Sequence, residues 1–230
     1  MAKYQREEHA ILESYKNIRT SIIVKNNIKT ILVTSSEMNE GKTTVVSSIA
    51  KCFSELENKK ILLIDCDLRK PSVHKYFGID NEKGLIDIVE DGNFRAYINK
   101  VDNLDILTTG RKTQKPAELL ESDYIKAFIE QLKEYYDYIF IDSPPVSRVN
   151  DACILANYID GTIIVSSSNE VDIELAKLTK KRLTKVNANF IGVILNKFKD
   201  EDNVYHKYYG YYDDEYIEPR KFRFKWNKRR

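Results

Sequence analysis

A doubly wound α/β domain, with a mostly parallel sheet and helices on both faces, is the fold that this 230-residue chain predicts. Three observations point there. Short runs rich in Ile, Val and Leu alternate with longer segments of helical pattern. A Gly-Lys-Thr loop joins the first run to the next helix. Two later runs end in aspartate. Near-continuous apolar runs suit strands buried on both faces, as parallel strands are.

In chain order, an amphipathic helix over 7–23 precedes the first run. The runs are 29–34 (KTILVT), 60–65 (KILLID), 104–108 (LDILT), 138–142 (YIFID), 161–166 (GTIIVS) and 190–196 (FIGVILN). Between them the apolar spacing predicts helices over 42–56, 116–135, 151–158 and 170–186. Right-handed crossovers would then align the C-terminal ends of the strands along one edge, where ligands of such sheets bind. From about residue 200 the periodicity lapses. Tyr205, Tyr208, Tyr209, Tyr211, Tyr212 and Tyr216 crowd among Asp, Glu, Lys and Gly, so a folded domain over 1–200 and a flexible tail over 201–230 are expected.

Composition narrows the classes. Lys+Arg 37 against Asp+Glu 35 gives a net charge of +2, which offers no field for nucleic acid. The charge is uneven, however: residues 220–230 (RKFRFKWNKRR) are strongly basic and fit contact with anionic lipid. Cys52, Cys66 and Cys153 fall among apolar residues in no paired spacing, as buried thiols of a reducing cytoplasm do. No apolar run is long enough to span a bilayer and no secretory signal opens the chain, so a cytoplasmic protein is expected.

The segment Ser35-Ser36-Glu37-Met38-Asn39-Glu40-Gly41-Lys42-Thr43-Thr44 follows a strand and opens a helix. Phosphates need donors without bulk, and the backbone N–H groups of a helix N-terminus supply them with a favourable dipole. Gly41 permits close approach, Lys42 brings a charge to the outer phosphates, and the Thr43 hydroxyl suits Mg²⁺. Ser36 stands where the usual pattern has its first glycine. Residues 37–44 are the expected nucleotide cradle. Together with the strand alternation they specify the P-loop NTPase fold.

The second run ends Asp65-Cys66-Asp67-Leu68-Arg69, and the fourth ends Asp142-Ser143-Pro144-Pro145. Both deliver carboxylates to the edge that holds the phosphate loop. Asp142 fits a metal-holding position, directly or through water. Asp65 and Asp67 fit a division of metal binding and proton acceptance, with Asp67 expected for the metal and Asp65 for the base. Lys42, Asp65, Asp67 and Asp142 are thus the expected catalytic set, and Thr43, Asp67 and Asp142 the metal set.

Together these motifs resemble the Walker A, A′ and B motifs of the bacterial tyrosine kinases (BY-kinases), and most resemble the cytoplasmic CapB-like kinases of capsular polysaccharide assembly. Two more features fit. Glu13, Lys16 and Arg19, spaced by three on one helix face, are similar to the family's Glu-x-x-Arg-x-x-Arg oligomerisation motif, with Lys16 in place of an Arg. The tyrosine cluster lies where the family autophosphorylates. The resemblance implies an ATP- and Mg²⁺-dependent protein-tyrosine kinase that marks its own tail and regulates capsule or exopolysaccharide synthesis and export. It also implies a ring-shaped homo-oligomer, a transmembrane activator of the polysaccharide co-polymerase kind, a cognate tyrosine phosphatase and other protein substrates. The chain would then be peripheral at the inner membrane face through that activator. Asn196 resembles the base-recognising position of related ATPases.

Two other readings share the fold. A ParA/MinD-type ATPase carries a signature lysine where this chain has Glu37, and gives the tyrosines no purpose. A nucleotide-binding regulatory subunit without kinase activity would have no use for the full set Lys42, Thr43, Asp65, Asp67 and Asp142.

Overall fold

The computed structural model describes residues 2–168 and 171–198, with side chains from residue 8 onward. The chain divides into two units, Met1–Lys197 and Phe198–Arg230. The architecture below is that of the first. The tyrosine cluster and the basic end lie outside the described residues.

Seven strands form one sheet: β1 (Thr30–Ser35), β2 (Ile61–Asp65), β3 (Ile98–Val101), β4 (Leu104–Leu107), β5 (Tyr138–Asp142), β6 (Gly161–Ser167) and β7 (Phe190–Asn196). Their order is β3-β4-β2-β5-β1-β6-β7. Every pair is parallel except β3 with β4. β3 is an edge strand that the apolar pattern does not reveal, since it is short and only half-buried. A tight turn with Asp102 at φ 54° joins it to β4, the left-handed backbone that such hairpins require.

Two helical layers cover the sheet. On one face lie α1 (Ala2–Ile23), α2 (Lys42–Ser54) and the short α3 (Val73–Phe77); on the other lie α4 (Leu85–Asp91), α5 (Pro116–Glu121), α6 (Asp123–Leu132), α7 (Asp151–Ala156) and α8 (Ile173–Lys185). Side chains alternate along each strand, so each face has its own core. Val33, Leu63, Phe140 and Val165 meet Val45, Ile49 and Phe53 on the α2 side. Leu32, Ile64, Ile141 and Ile164 meet Leu85, Phe128, Leu155 and Leu183 on the other. Phe53 sits edge-on to both Phe140 and Tyr138, with centroids 4.9 and 4.8 Å apart.

The helix expected over 116–135 is two helices. Ser122 is extended (φ −61°, ψ 145°), and its hydroxyl accepts the N–H of Ile125 at 3.3 Å. A serine in that backbone caps the second helix and ends the first. The first helix starts earlier than the expected residue 7, at Ala2. All three cysteines are buried and free. Among the described residues, no helix is long and apolar enough to cross a membrane.

Candidate active site

Alternation fixes where the aspartates go. Asp65 shares its face of β2 with Ile61 and Leu63, and Asp142 shares its face of β5 with Tyr138 and Phe140, so both point toward α2. β2 and β5 are neighbours, with Asp65 and Asp142 as register partners. The phosphate loop leaves β1, on the far side of β5, and enters α2 directly above them.

The loop turns into α2 at Gly41, whose φ of +87° suits glycine; a Cβ there would lie 2.2 Å from Asn196 Nδ2. Lys42 opens α2. Its ammonium stands 3.2 Å from Asp67 Oδ2, 3.6 Å from Asp142 Oδ1 and 3.4 Å from Thr43 Oγ1. Burial works to lower the Lys42 pKa, but the charges of Asp142 and Asp67 outweigh it and raise it. Thr43 donates to Asp142 Oδ2 at 2.6 Å, and its oxygen also lies 2.9 Å from Ser72 Oγ.

The two strand-end carboxylates have different partners. Asp65 Oδ1 accepts the N–H of Asp67, and Oδ2 accepts those of Ser72 and Val73, each at 3.0 Å. Burial, then the charge of Asp142, pushes Asp65 up to about 8 against the pull of those N–H groups. Asp142 is raised chiefly by burial, with Lys42 and Thr43 opposing. Its Oδ1 is buried and has no hydrogen-bond partner.

Asp67 is held by Lys42 and by the Lys70 N–H, which donates to Oδ1 at 3.0 Å. Arg69 turns away from the site and forks onto Asp151, at 2.9 and 3.1 Å. Asp151, fully buried at the start of α7, thereby ties the loop after β2 to the chain that follows Asp142.

A bound Mg²⁺ suits this set. The orphaned Asp142 Oδ1, the Thr43 hydroxyl and Asp67 are hard oxygen donors, and three carboxylates face a single ammonium. Among the described residues, no group of three or more His, Cys, Asp or Glu is placed to hold a metal unaided. Mg²⁺ takes one or two carboxylates and fills its shell with phosphate and water.

Several expected site residues are used differently. The Glu37 carboxylate does not enter the cradle: Arg148 forks onto Oε2 at 3.2 and 3.1 Å, and Ser147 donates to Oε1 at 3.0 Å. An acid would repel phosphate there, and Arg148 neutralises it. Glu40 is folded inward, accepting the N–H groups of Glu37 and Ser167, and braces the loop against the end of β6. Asn196 donates to the Glu40 carbonyl at 2.8 Å, so in this structure it supports the loop. Met38 and Asn39 are exposed on the loop, as is Thr44 in the first turn of α2. Of the α1 triad, Glu13 and Lys16 pair with each other at 2.6 Å. Arg19 donates to the Cys52 carbonyl at 2.7 Å, satisfying a C-terminal group of α2. Sequence reasoning missed Ser72, Asp151, Arg148 and the inward turn of Glu40. No spacing marks them: Ser72 Oγ meets Thr43, Asp151 meets Arg69 and Arg148 meets Glu37, each across 29 or more residues.

The chain matches the family model AAA_31, an AAA domain, over residues 28–190. It is 36% identical over 206 residues to the tyrosine-protein kinase YwqD of Bacillus subtilis, covering 87% of this chain and 85% of that one. To the tyrosine-protein kinase CpsD of Streptococcus pneumoniae it is 34% identical over 206 residues, covering 87% and 89%. Among solved structures it resembles the chimerical protein CapA2B2, with a TM-score of 0.77 at 27% identity over 81% of this chain and 84% of that one.

Proposed function

The chain belongs to the bacterial tyrosine kinases, and we propose that it transfers the γ-phosphoryl group of ATP to tyrosines of its own C-terminal cluster. The observation that carries this reading is the buried Asp142 Oδ1, which accepts no hydrogen bond and has only the Lys42 ammonium at 3.6 Å, beside the Thr43 hydroxyl. Such an oxygen keeps lone pairs that a bound Mg²⁺ would fill.

Phosphoryl transfer needs mainly positioning and charge neutralisation. The amides of residues 37–44 and the Lys42 ammonium hold the β- and γ-phosphates. Thr43, Asp142 and Asp67 would hold Mg²⁺, which would neutralise charge on the transferring group. The acceptor phenol has a pKa of about 10 and needs a base near neutral pH. Asp65 takes that proton on Oδ1, which accepts only one N–H, once it is ionised; burial and the Asp142 charge raise it to about 8, so this role strengthens as pH rises toward 8. The phenol oxygen bonds to the γ-phosphorus as the bond to the β-phosphate oxygen breaks, releasing ADP.

In this reading residues 1–200 are the kinase domain, and the tail over 201–230 carries the acceptors Tyr205, Tyr208, Tyr209, Tyr211, Tyr212 and Tyr216. Each phosphate adds about −1.5 to −2 charges, beside Asp213, Asp214 and Glu215. Repulsion then expels the modified tail from a neighbour's site. Glu13 and Lys16, half-exposed on α1, are offered to the next subunit of a ring. A transmembrane activator brings the chain to the inner membrane face, a cognate phosphatase reverses the reaction, and the cycle regulates capsule or exopolysaccharide export.

The test is phosphotyrosine blotting of the purified chain with Mg·ATP, with and without a cytoplasmic activator segment. Labelling is expected in the parent and lost in Lys42→Met. With all six tail tyrosines changed to Phe, labelling is lost while ATP binding persists. Labelling that survives Lys42→Met sinks the mechanism.

A further inference from the structure

We propose that α8 and the neighbouring edge strand β7 form a surface that lies directly against an anionic lipid leaflet. α8 carries Lys177, Lys180, Lys181, Arg182 and Lys185 against a single acid, Glu174, in a chain whose charges otherwise nearly balance at 37 to 35. At 100° per residue the four lysines fall within an arc of about 140°. The opposite side of the helix buries Thr179 and Leu183. Lys177, Lys180, Lys181, Thr184 and Lys185 line one open depression. Lys177 pairs with Glu174 at 2.7 Å; Lys180, Lys181 and Lys185 form no ion pair among the described residues.

Apolar side chains stand beside this charge. Ile173 (70% exposed) and Leu178 (51%) project from α8, and Val193 (65%) and Leu195 (56%) from β7. These are four of the twelve large hydrophobics exposed among the described residues, concentrated in two adjoining elements. Val193 pairs with Ile164 and Leu195 with Ser166. Ile164 shares a core with Leu183 of α8, so Val193 and Leu195 face the α8 side of the sheet. β7 ends the strand order, and Val193 and Leu195 stay exposed on that side.

A leaflet answers both halves of the surface. Lysine stems lie along apolar material while their ammonium groups meet anionic headgroups, and the aliphatic side chains enter the interface. Nucleic acid is a poorer match, because recognition there favours Arg forks and aromatic platforms. This face has neither. The only arginine of α8, Arg182, is turned inward to the Val146 carbonyl.

The test is co-sedimentation of the full chain with phosphatidylcholine vesicles, with and without phosphatidylglycerol, at low and high salt. Binding is expected only with phosphatidylglycerol, and weaker at high salt. Each lysine removed should weaken it about fivefold, so Lys177→Glu, Lys180→Glu, Lys181→Glu and Lys185→Glu together should abolish sedimentation. The pair Ile173→Ser and Leu178→Ser should weaken binding several-fold. Nucleotide affinity should stay unchanged in both variants, confirming an intact fold. Three results overturn the proposal: no binding of the parent to phosphatidylglycerol, equal binding to neutral vesicles, or full binding by the four-lysine variant, which would hand the contact to residues 220–230. Capture by soluble polyglutamate without vesicle binding would assign the face to an acidic protein instead.

Discussion

Asp65 closes β2 and Asp142 closes β5; they are register partners, point to the same side of the sheet and are both fully buried. Their partners set them apart. Asp65 accepts three backbone N–H groups and so shapes the chain from Asp67 to Val73. Asp142 accepts one hydroxyl, and its other oxygen accepts no hydrogen bond and has only the Lys42 ammonium at 3.6 Å. Residue type and burial therefore do not decide what a carboxylate does. The count of donors already in place does: the satisfied group holds structure, and the unsatisfied one is available to a cation.

The largest expected effect separates the two by function. Asp142→Asn should lower phosphotransfer by on the order of 10²–10³-fold, while urea unfolding of the nucleotide-free chain shows no loss of stability. A clearly destabilised Asp142→Asn would mean that both aspartates are structural.

Asp65→Asn should do the reverse in unfolding. An amide side chain turns a donor toward at least one of the three N–H groups, costing about 1–3 kcal/mol. The pH dependence sharpens the contrast. Folding raises Asp65 from an ordinary 3.8 to about 8, so the folded chain holds a proton that the unfolded chain releases. Stability from this group is full below about pH 4 and is lost as pH rises toward about 8. Removing the Asp142 charge lowers the Asp65 pKa, so thermal melts of Asp142→Asn between these limits should show a shallower decline than the parent. An unchanged slope would break the coupling between the strand ends.

The smallest effects come from the two clamps around the site. Arg69→Ala leaves Asp151 buried without its fork; discounted for the partial exposure of Arg69, the cost is about 1–2 kcal/mol. Glu37→Ala breaks a more exposed pair and should cost about 1 kcal/mol or less. Guanidinium unfolding ranks the two, and the opposite order would show that the loop nearer the phosphates depends on Arg148 more than the geometry suggests.

Much of the fold was legible because local rules govern it. Apolar runs of strand length located β5 and β7 to the residue, and β1, β2, β4 and β6 within one residue at either end. β3, α3 and α4 escaped because each is short and is stabilised by what it packs on. The break at Ser122 escaped because a serine inside a helical pattern reads as a surface residue until its backbone is seen. In the site, Gly41, Lys42, Thr43, Asp65, Asp67 and Asp142 were visible from spacing. Their division of labour was not, and neither were Ser72, Asp151 and Arg148, whose partners are remote in sequence.

The sequence by itself determined six of the seven strands, the strand edge where the candidate site lies and the identity of the charged residues there, since period-two alternation and loop chemistry act over a few neighbours. Tertiary structure alone decided that β2 lies beside β5, which makes Asp65 and Asp142 partners across 77 residues of chain. It also decided which carboxylate is satisfied and which is left open, that Glu37 is claimed by Arg148, and that α8 leaves part of β7 uncovered. Those outcomes depend on which donors and surfaces the fold brings within a few ångströms, a quantity that no spacing along the chain contains.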